Sequence, residues 1–236
     1  MTTTYTYEIL TLEDPTLIHQ TAVCLGKAFV GIEVENKVIK EPMISYSGLT
    51  FEDFSNFSQQ YLEENVQQGY CAVALNEQRE VVGVLAADIN QVEVHGDYAF
   101  EGSFQRMNYV MEALEEIDSL FIEDYKKRYG HVPQAGEVLH IFLLGTIAEH
   151  GRHEIVQALG DLLIEKATAN GMKMVIAEAT NPKSLRVFEK YHQMTKYVDV
   201  NGNYLVHNYA TSEHFSMIPE DVADGVYIIA RQLQSE

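Results

Sequence analysis

From Val138 to Met194 the chain passes through an apolar strand, a polar loop at Glu149 to Glu154, a long amphipathic helix, a second strand, and then Asn181 at the start of another helix. This βαβα order constrains the fold more than any other stretch, because period-two and period-3.6 apolar patterns alternate there over short connections. It also puts a loop of phosphate-binding size at its first junction.

The flanking sequence supplies more strands and helices. Tyr5 to Leu12 alternates apolar and polar residues as a half-buried strand, and Pro15 introduces a helical stretch from Leu17 to Phe29. Gly31 to Thr50 contains Gly31, Pro42 and Gly48 without a sustained period and reads as an irregular loop, long enough to point to function. Phe54, Phe57, Tyr61 and Leu62 mark an amphipathic helix over Phe51 to Gln68, ended by Gly69. Tyr70 to Leu75 and Glu80 to Asn90 then read as a hairpin around Asn76 to Arg79, with a largely buried second strand. Ser103 to Tyr129 is a long helix stopped by Gly130 and Pro133. After the βαβα segment, Lys196 to Val200 and Tyr204 to Tyr209 flank an Asn-Gly turn, and Val222 to Leu233 is a strand or a strand-helix mixture. No repeat, low-complexity tract or linker interrupts the chain, so the expectation is one α/β domain over residues 1–236, with the βαβα segment at about 138–194 as its core.

Charge narrows the partners. Sixteen Lys and Arg against 35 Asp and Glu give a formal charge of −19, which repels nucleic acid and anionic lipid and draws in small cations. Cys24 and Cys71 each sit in an apolar stretch, where a thiol packs as a hydrophobe, so both are expected buried and reduced. The N-terminus lacks a basic segment followed by an apolar run, and no apolar stretch approaches the roughly 20 residues of a membrane helix. A soluble, cytoplasmic protein is the expectation.

The loop from Ala148 to Ile155 turns from strand into helix N-terminus, where unpaired N–H groups and the helix dipole favour an anion. Ile155, Leu159 and Leu162 form the buried stripe behind it. His150 and His153 have metal-ligand spacing, but two histidines and one acid in a polar loop are weak grounds for a site, and no metal is expected.

The segment VLHIFLLGTIAEHGRHEIVQALGDLLIEKA, followed by KMVIAEATNPKSLRVFEKYHQM, resembles the acyl-coenzyme A binding half of the GCN5-related N-acetyltransferases, or GNATs. The resemblance implies a mixed, mostly antiparallel sheet flanked by helices, and acetyl-CoA as acyl donor. In that family the loop carries Arg or Gln, two variable residues, Gly, one variable residue, and Gly or Ala. In this chain it reads GRHEIV from Gly151 to Val156, with Glu154 where a glycine is usual. Arg152 and His153 are candidates to offset that acid, and a one-residue shift would use His150 and Gly151 instead. At the second junction Asn181 and Ser184 match the family pattern, and Phe188 stands where many members carry the tyrosine that protonates the leaving thiolate. Tyr191, three residues on, is the candidate acid.

The insect arylalkylamine N-acetyltransferases match further: Lys40-Glu41-Pro42-Met43 resembles their Asp-Glu-Pro-Leu, and Ser184 to Gln193 resembles their last helix. That likeness implies Glu41 as the general base, acting on a small primary amine, cationic in solution, in a ternary complex with acetyl-CoA. The strand-end amides at Thr146 and Ile147 follow as carbonyl contacts, with Ile147 the expected oxyanion donor. The alternatives are a non-catalytic binding protein with a degenerate loop, or transfer to a protein amine.

Overall fold

The structure, a computed structural model, describes residues 4–34, 37–39, 41–89, 100–147, 150 and 153–234. Their elements run in the order β1 (Thr6–Ile9), α1 (Pro15–Val30), β2 (Ile32–Val34), β3 (Lys37–Ile39), α2 (Pro42–Ser47), α3 (Phe51–Asn65), β4 (Cys71–Leu75), β5 (Val81–Asp88), α4 (Met107–Tyr129), β6 (Val138–Thr146), α5 (His153–Ala169), β7 (Met174–Ala179), α6 (Pro182–His192), β8 (Thr195–Lys196), β9 (Val206–Asn208) and β10 (Gly225–Gln232). An eight-stranded sheet has the order β1-β4-β5-β6-β7-β10-β8, with β9 paired to β10. The registers of β1 with β4, β4 with β5, and β10 with β7, β8 and β9 are all antiparallel. This is the mixed, mostly antiparallel α/β architecture that the resemblance implies.

The residues group into two compact units. The first comprises Met1–Glu41, Thr50–Asp88 and Ile141–Ala169. Its helices begin where side chains satisfy free amides: Asp14 accepts from the Leu17 N–H at 2.9 Å with Pro15 following, and Thr50 and Asp53 form a reciprocal capping box. Two glycines set the packing distances. A Cβ on Gly83 would meet Ile155 Cγ2 of α5 at 2.5 Å, and one on Gly145 would meet Ala28 Cβ of α1 at 2.7 Å. The β4 and β5 strands are buried along their whole length, as continuous apolar runs predict. Both cysteines are buried here and unpaired, and burial pushes both thiols up to about 12.

The second unit comprises Pro42–Leu49, Ile89–His140 and Asn170–Glu236. Its centre is β10, paired along one edge with β7 from Tyr227↔Ala179 to Gln232↔Met174, and along the other with β8 and β9. The α4 helix packs on β9 and β10 through one apolar face that includes Val110, Leu114, Ile117 and Phe121. Asp124 on that helix is buried. It accepts hydrogen bonds from Arg128 Nε at 2.7 Å, the Tyr197 hydroxyl at 2.8 Å and the Val200 N–H at 2.8 Å.

Two expectations need correction, one at the Gly31 to Thr50 loop and one in the α5 stripe. Gly31 to Thr50 is not irregular throughout: β2 and β3 form a small hairpin and α2 is a six-residue helix, each too short to show a period. Lys196–Val200 and Tyr204–Tyr209 do pair across the Asn-Gly turn, through the Val198↔Tyr204 bridge and the bonds from the Asp199 N–H to the Asn203 carbonyl at 2.8 Å and from the Leu205 N–H to the Tyr197 carbonyl at 3.3 Å, while β8 and β9 beyond that turn pair with β10. The last segment resolves as a strand, because β7 supplies a partner ladder over Tyr227–Gln232. The buried stripe of α5 runs Ile155, Leu159, Leu163, with Leu162 at its half-buried edge. Among the described residues no helix is long and apolar enough to cross a membrane.

Candidate functional site

In the first unit the β6–α5 junction is the anion-binding candidate. Ala148, Glu149, Gly151 and Arg152 lie outside the described residues, as does the side chain of His153, which opens α5. The junction is held from both ends. The His150 N–H donates to the Ile147 carbonyl at 2.9 Å, and its Nδ1 lies 3.0 Å from the Tyr5 hydroxyl beside an edge-to-face ring contact. Behind it, Ile155 is fully buried against Gly83. Glu154 is exposed in the first turn of α5, where the helix dipole favours a carboxylate. Tyr7 feels that charge: desolvation by burial raises its hydroxyl pKa, and Glu154 and Tyr5 raise it further.

Ile147 was expected to donate to the thioester oxygen. Its N–H donates to the Val82 carbonyl at 2.9 Å, so it faces β5 and is already engaged. Backbone amides alternate in direction along a strand, so the half-buried Thr146, one residue back, turns its N–H away from β5. Further back the alternation breaks. Gly145 lies against Ala28 of α1, and Phe142 lies against Phe57 and Tyr61 of α3, with ring centroids at 6.1 and 4.9 Å. A stack of Phe29 on Phe54 at 4.7 Å joins α1 to α3, so both contacts are on one face of the sheet. Residues three apart share a face only across an irregularity such as a β-bulge, a device that re-aims strand groups.

Glu41 is a buried acid, 9% exposed, and its N–H donates to the carbonyl of Phe29, in the last turn of α1, at 3.0 Å. Proline follows at once as the first residue of α2.

In the second unit the β7–α6 junction is built by capping. Asn181 Oδ1 accepts from the Lys183 and Ser184 N–H groups at 3.0 Å each, and the Ser184 hydroxyl donates to the Asn181 carbonyl at 2.9 Å. Both residues therefore start the helix, whatever else they do. Phe188 is buried beside His192, and Tyr191 is half-buried with Lys190 Nζ 4.9 Å from its ring centre.

Two features of this unit escaped the sequence reading. The buried Tyr209 hydroxyl donates to the Thr180 carbonyl at 2.9 Å, which brings a phenol to the same junction from 29 residues away. His140 of β6 and Glu178 of β7 form a buried pair, with Nε2 at 2.9 and 3.1 Å from the two carboxylate oxygens and side chains 5% and 3% exposed. The available signal was a single polar residue in each of two apolar strands, VLHIF and VIAEA. Among the described residues no three His, Cys, Asp or Glu side chains are grouped to hold a metal.

No protein-family model matches the sequence, and no curated protein is recognisably similar to it. Solved structures do match the fold. A mosquito arylalkylamine N-acetyltransferase like 5b superposes with a TM-score of 0.61 at 17% identity, covering 97% of this chain and 100% of the other. An agmatine N-acetyltransferase gives 0.66 at 15% identity, and a Drosophila melanogaster polyamine N-acetyltransferase that forms N-acetylagmatine gives 0.58 at 14%, each covering 97% of this chain and 100% of the other. The chain has the GNAT fold of the arylalkylamine and polyamine N-acetyltransferases.

Proposed function

We propose that this chain is a single-domain, coenzyme A dependent N-acetyltransferase acting on a small primary amine. The observation that carries the proposal is the end-to-end fold match with acetyltransferases of arylalkylamines, agmatine and polyamines. The acidic sequence, at −19, agrees with a cationic acceptor.

The residues present are compatible with acetyl-CoA as acyl donor. The first-turn amides of α5, at His153, Glu154 and Ile155, would meet the diphosphate, and the exposure of Glu154 lets its carboxylate turn to solvent instead of toward that anion. Gly151 and Arg152 precede those amides in sequence. In our reading the Thr146 amide, free of β5, replaces Ile147 as the donor to the thioester carbonyl. Glu41 takes the proton from the amine, and no covalent enzyme intermediate is needed. The thiolate is protonated by Tyr191 or by Tyr209, whose hydroxyl reaches Thr180.

A second base is favoured by one observation, the His140–Glu178 pair, since a carboxylate that holds an imidazole also fixes its tautomer and orientation. A non-catalytic reading rests on Glu154 in the phosphate loop and Phe188 at the acid position.

Turnover of acetyl-CoA against a panel of diamines, agmatine and arylalkylamines tests the assignment. Glu41→Gln is expected to lower kcat by roughly 10² to 10⁴ while leaving acetyl-CoA affinity intact. If His140→Gln has that effect and Glu41→Gln does not, the base is His140. Absence of turnover on every amine would leave the non-catalytic reading.

A further inference from the structure

Strand β5 is apolar along its length except at its last residue, Asp88, which is only 7% exposed. A carboxylate in such a place must be held by groups that donate to it. The Tyr61 hydroxyl of α3 donates to its Oδ2 at 2.9 Å and sets the direction in which the carboxylate points. A phenol is neutral, so it orients that charge without neutralising it.

The same tyrosine ends a file of aromatic rings. Its ring centre lies 4.9 Å from that of Phe142 on β6, which lies 6.1 Å from that of Phe57. Phe57 is 5.8 Å from Phe54, and Phe54 stacks on Phe29 at 4.7 Å. Phe54 is buried, but Phe29, Phe57, Tyr61 and Phe142 are each half-buried, so the file presents aromatic surface. At the end away from Asp88, the Phe29 carbonyl accepts the N–H of Glu41. An acidic residue therefore stands at each end of the file, and all of these residues belong to the first unit.

An aromatic surface with an acid at each end is complementary to a flexible amine whose methylenes lie on the rings and whose two ends are cations. A monoamine would use one acid only. With Glu41 as the base, the nitrogen that is acylated lies at its end of the file and the second cation lies at Asp88. We propose that Asp88, directed by Tyr61, binds the distal cation of the acceptor and so selects α,ω-diamines over monoamines. The identity of the reacting end rests on the acetyltransferase reading; the charge selectivity is a binding property and is tested without acyl transfer.

Calorimetric titration of the full chain, with and without coenzyme A, compares 1,4-diaminobutane with pentylamine and 1,6-diaminohexane with heptylamine. In each pair one terminal ammonium is exchanged for a methyl group. At about 0.15 M salt, charges beyond about 8 Å are largely screened, which limits the part played by the acidic chain as a whole. In at least one pair the wild type should bind the diamine roughly tenfold more tightly. Asp88→Asn keeps an acceptor for Tyr61 while removing the charge, and should weaken the diamine roughly tenfold and the monoamine by less than about twofold. Tyr61→Phe, which leaves the charge but not its orientation, should give a smaller loss confined to the diamine, and decides the matter if circular dichroism shows Asp88→Asn to be misfolded. Equal weakening of both amines in folded Asp88→Asn would make its role structural and overturn the proposal. A diamine preference left intact in that variant would assign it to bulk charge and overturn it too, as would a wild type that binds both amines alike or neither. The expected selectivity in binding without turnover of acetyl-CoA would support the cation site and overturn the acetyltransferase reading alone.

Discussion

At the scale of single residues, Gln193 shows how a side chain can stand against local chemistry. It caps α6 at a φ of 56°, in the left-handed region, where a Cβ is crowded and glycine is at ease. Its side chain is exposed, so nothing buried depends on it. Gln193→Gly is therefore expected to stabilise the protein by about 1 kcal/mol in a denaturant titration, the relief of strain exceeding the glycine's added chain entropy. A loss of stability would mean that the glutamine makes a contact worth more than the strain. The residue scale is also where amide direction is hard to read from a sequence. Ile147 ended the strand as an oxyanion donor should, yet which edge an amide faces depends on strand parity and on the neighbour it meets, here Val82. Asn181 and Ser184 were legible because a cap is local. Tyr209 was not, because its junction lies 29 residues away.

Among elements, the Asp124 cluster ties the C-terminal turns of α4 to Tyr197 and Val200, which flank the start of the turn region before β9. Burial alone would raise the Asp124 carboxyl, but Arg128, the Val200 amide and the Tyr197 hydroxyl outweigh it and hold it below the ordinary value of 3.8. A carboxyl depressed on folding contributes stability above its unfolded value and loses it as pH falls through the folded one. Asp124→Asn is expected to cost about 2 kcal/mol at neutral pH, by analogy with hydrogen bonds to charged groups. The gap to wild type should close as the pH is taken below 3.8. A gap that persists unchanged into acid would show that shape, not charge, holds the cluster. The long helix, the buried hairpin and the βαβα segment were legible as elements because each sustains its period over several turns or residues. The β2–β3 hairpin and α2 were not, being shorter than any periodic signal. Partner choice was hidden too: the Asn-Gly turn was visible, but the preference of β8 and β9 for β10 is a long-range competition.

For the whole molecule, the order of strands and helices carried the fold through sequence identities of 14–17%. Apolar patterning survives substitution because many side chains of similar volume fill the same core. Site chemistry does not share that tolerance, since one residue such as Phe188 or Glu154 changes what a position can donate or repel. The acyl-transfer account therefore turns on whether the turn into α5 still accepts a diphosphate. Isothermal titration of the wild-type chain with acetyl-CoA measures this directly, with Glu154→Gly beside it. The account gives saturable binding to the wild type and tighter binding when the carboxylate is removed; no binding to either at millimolar acetyl-CoA would contradict it.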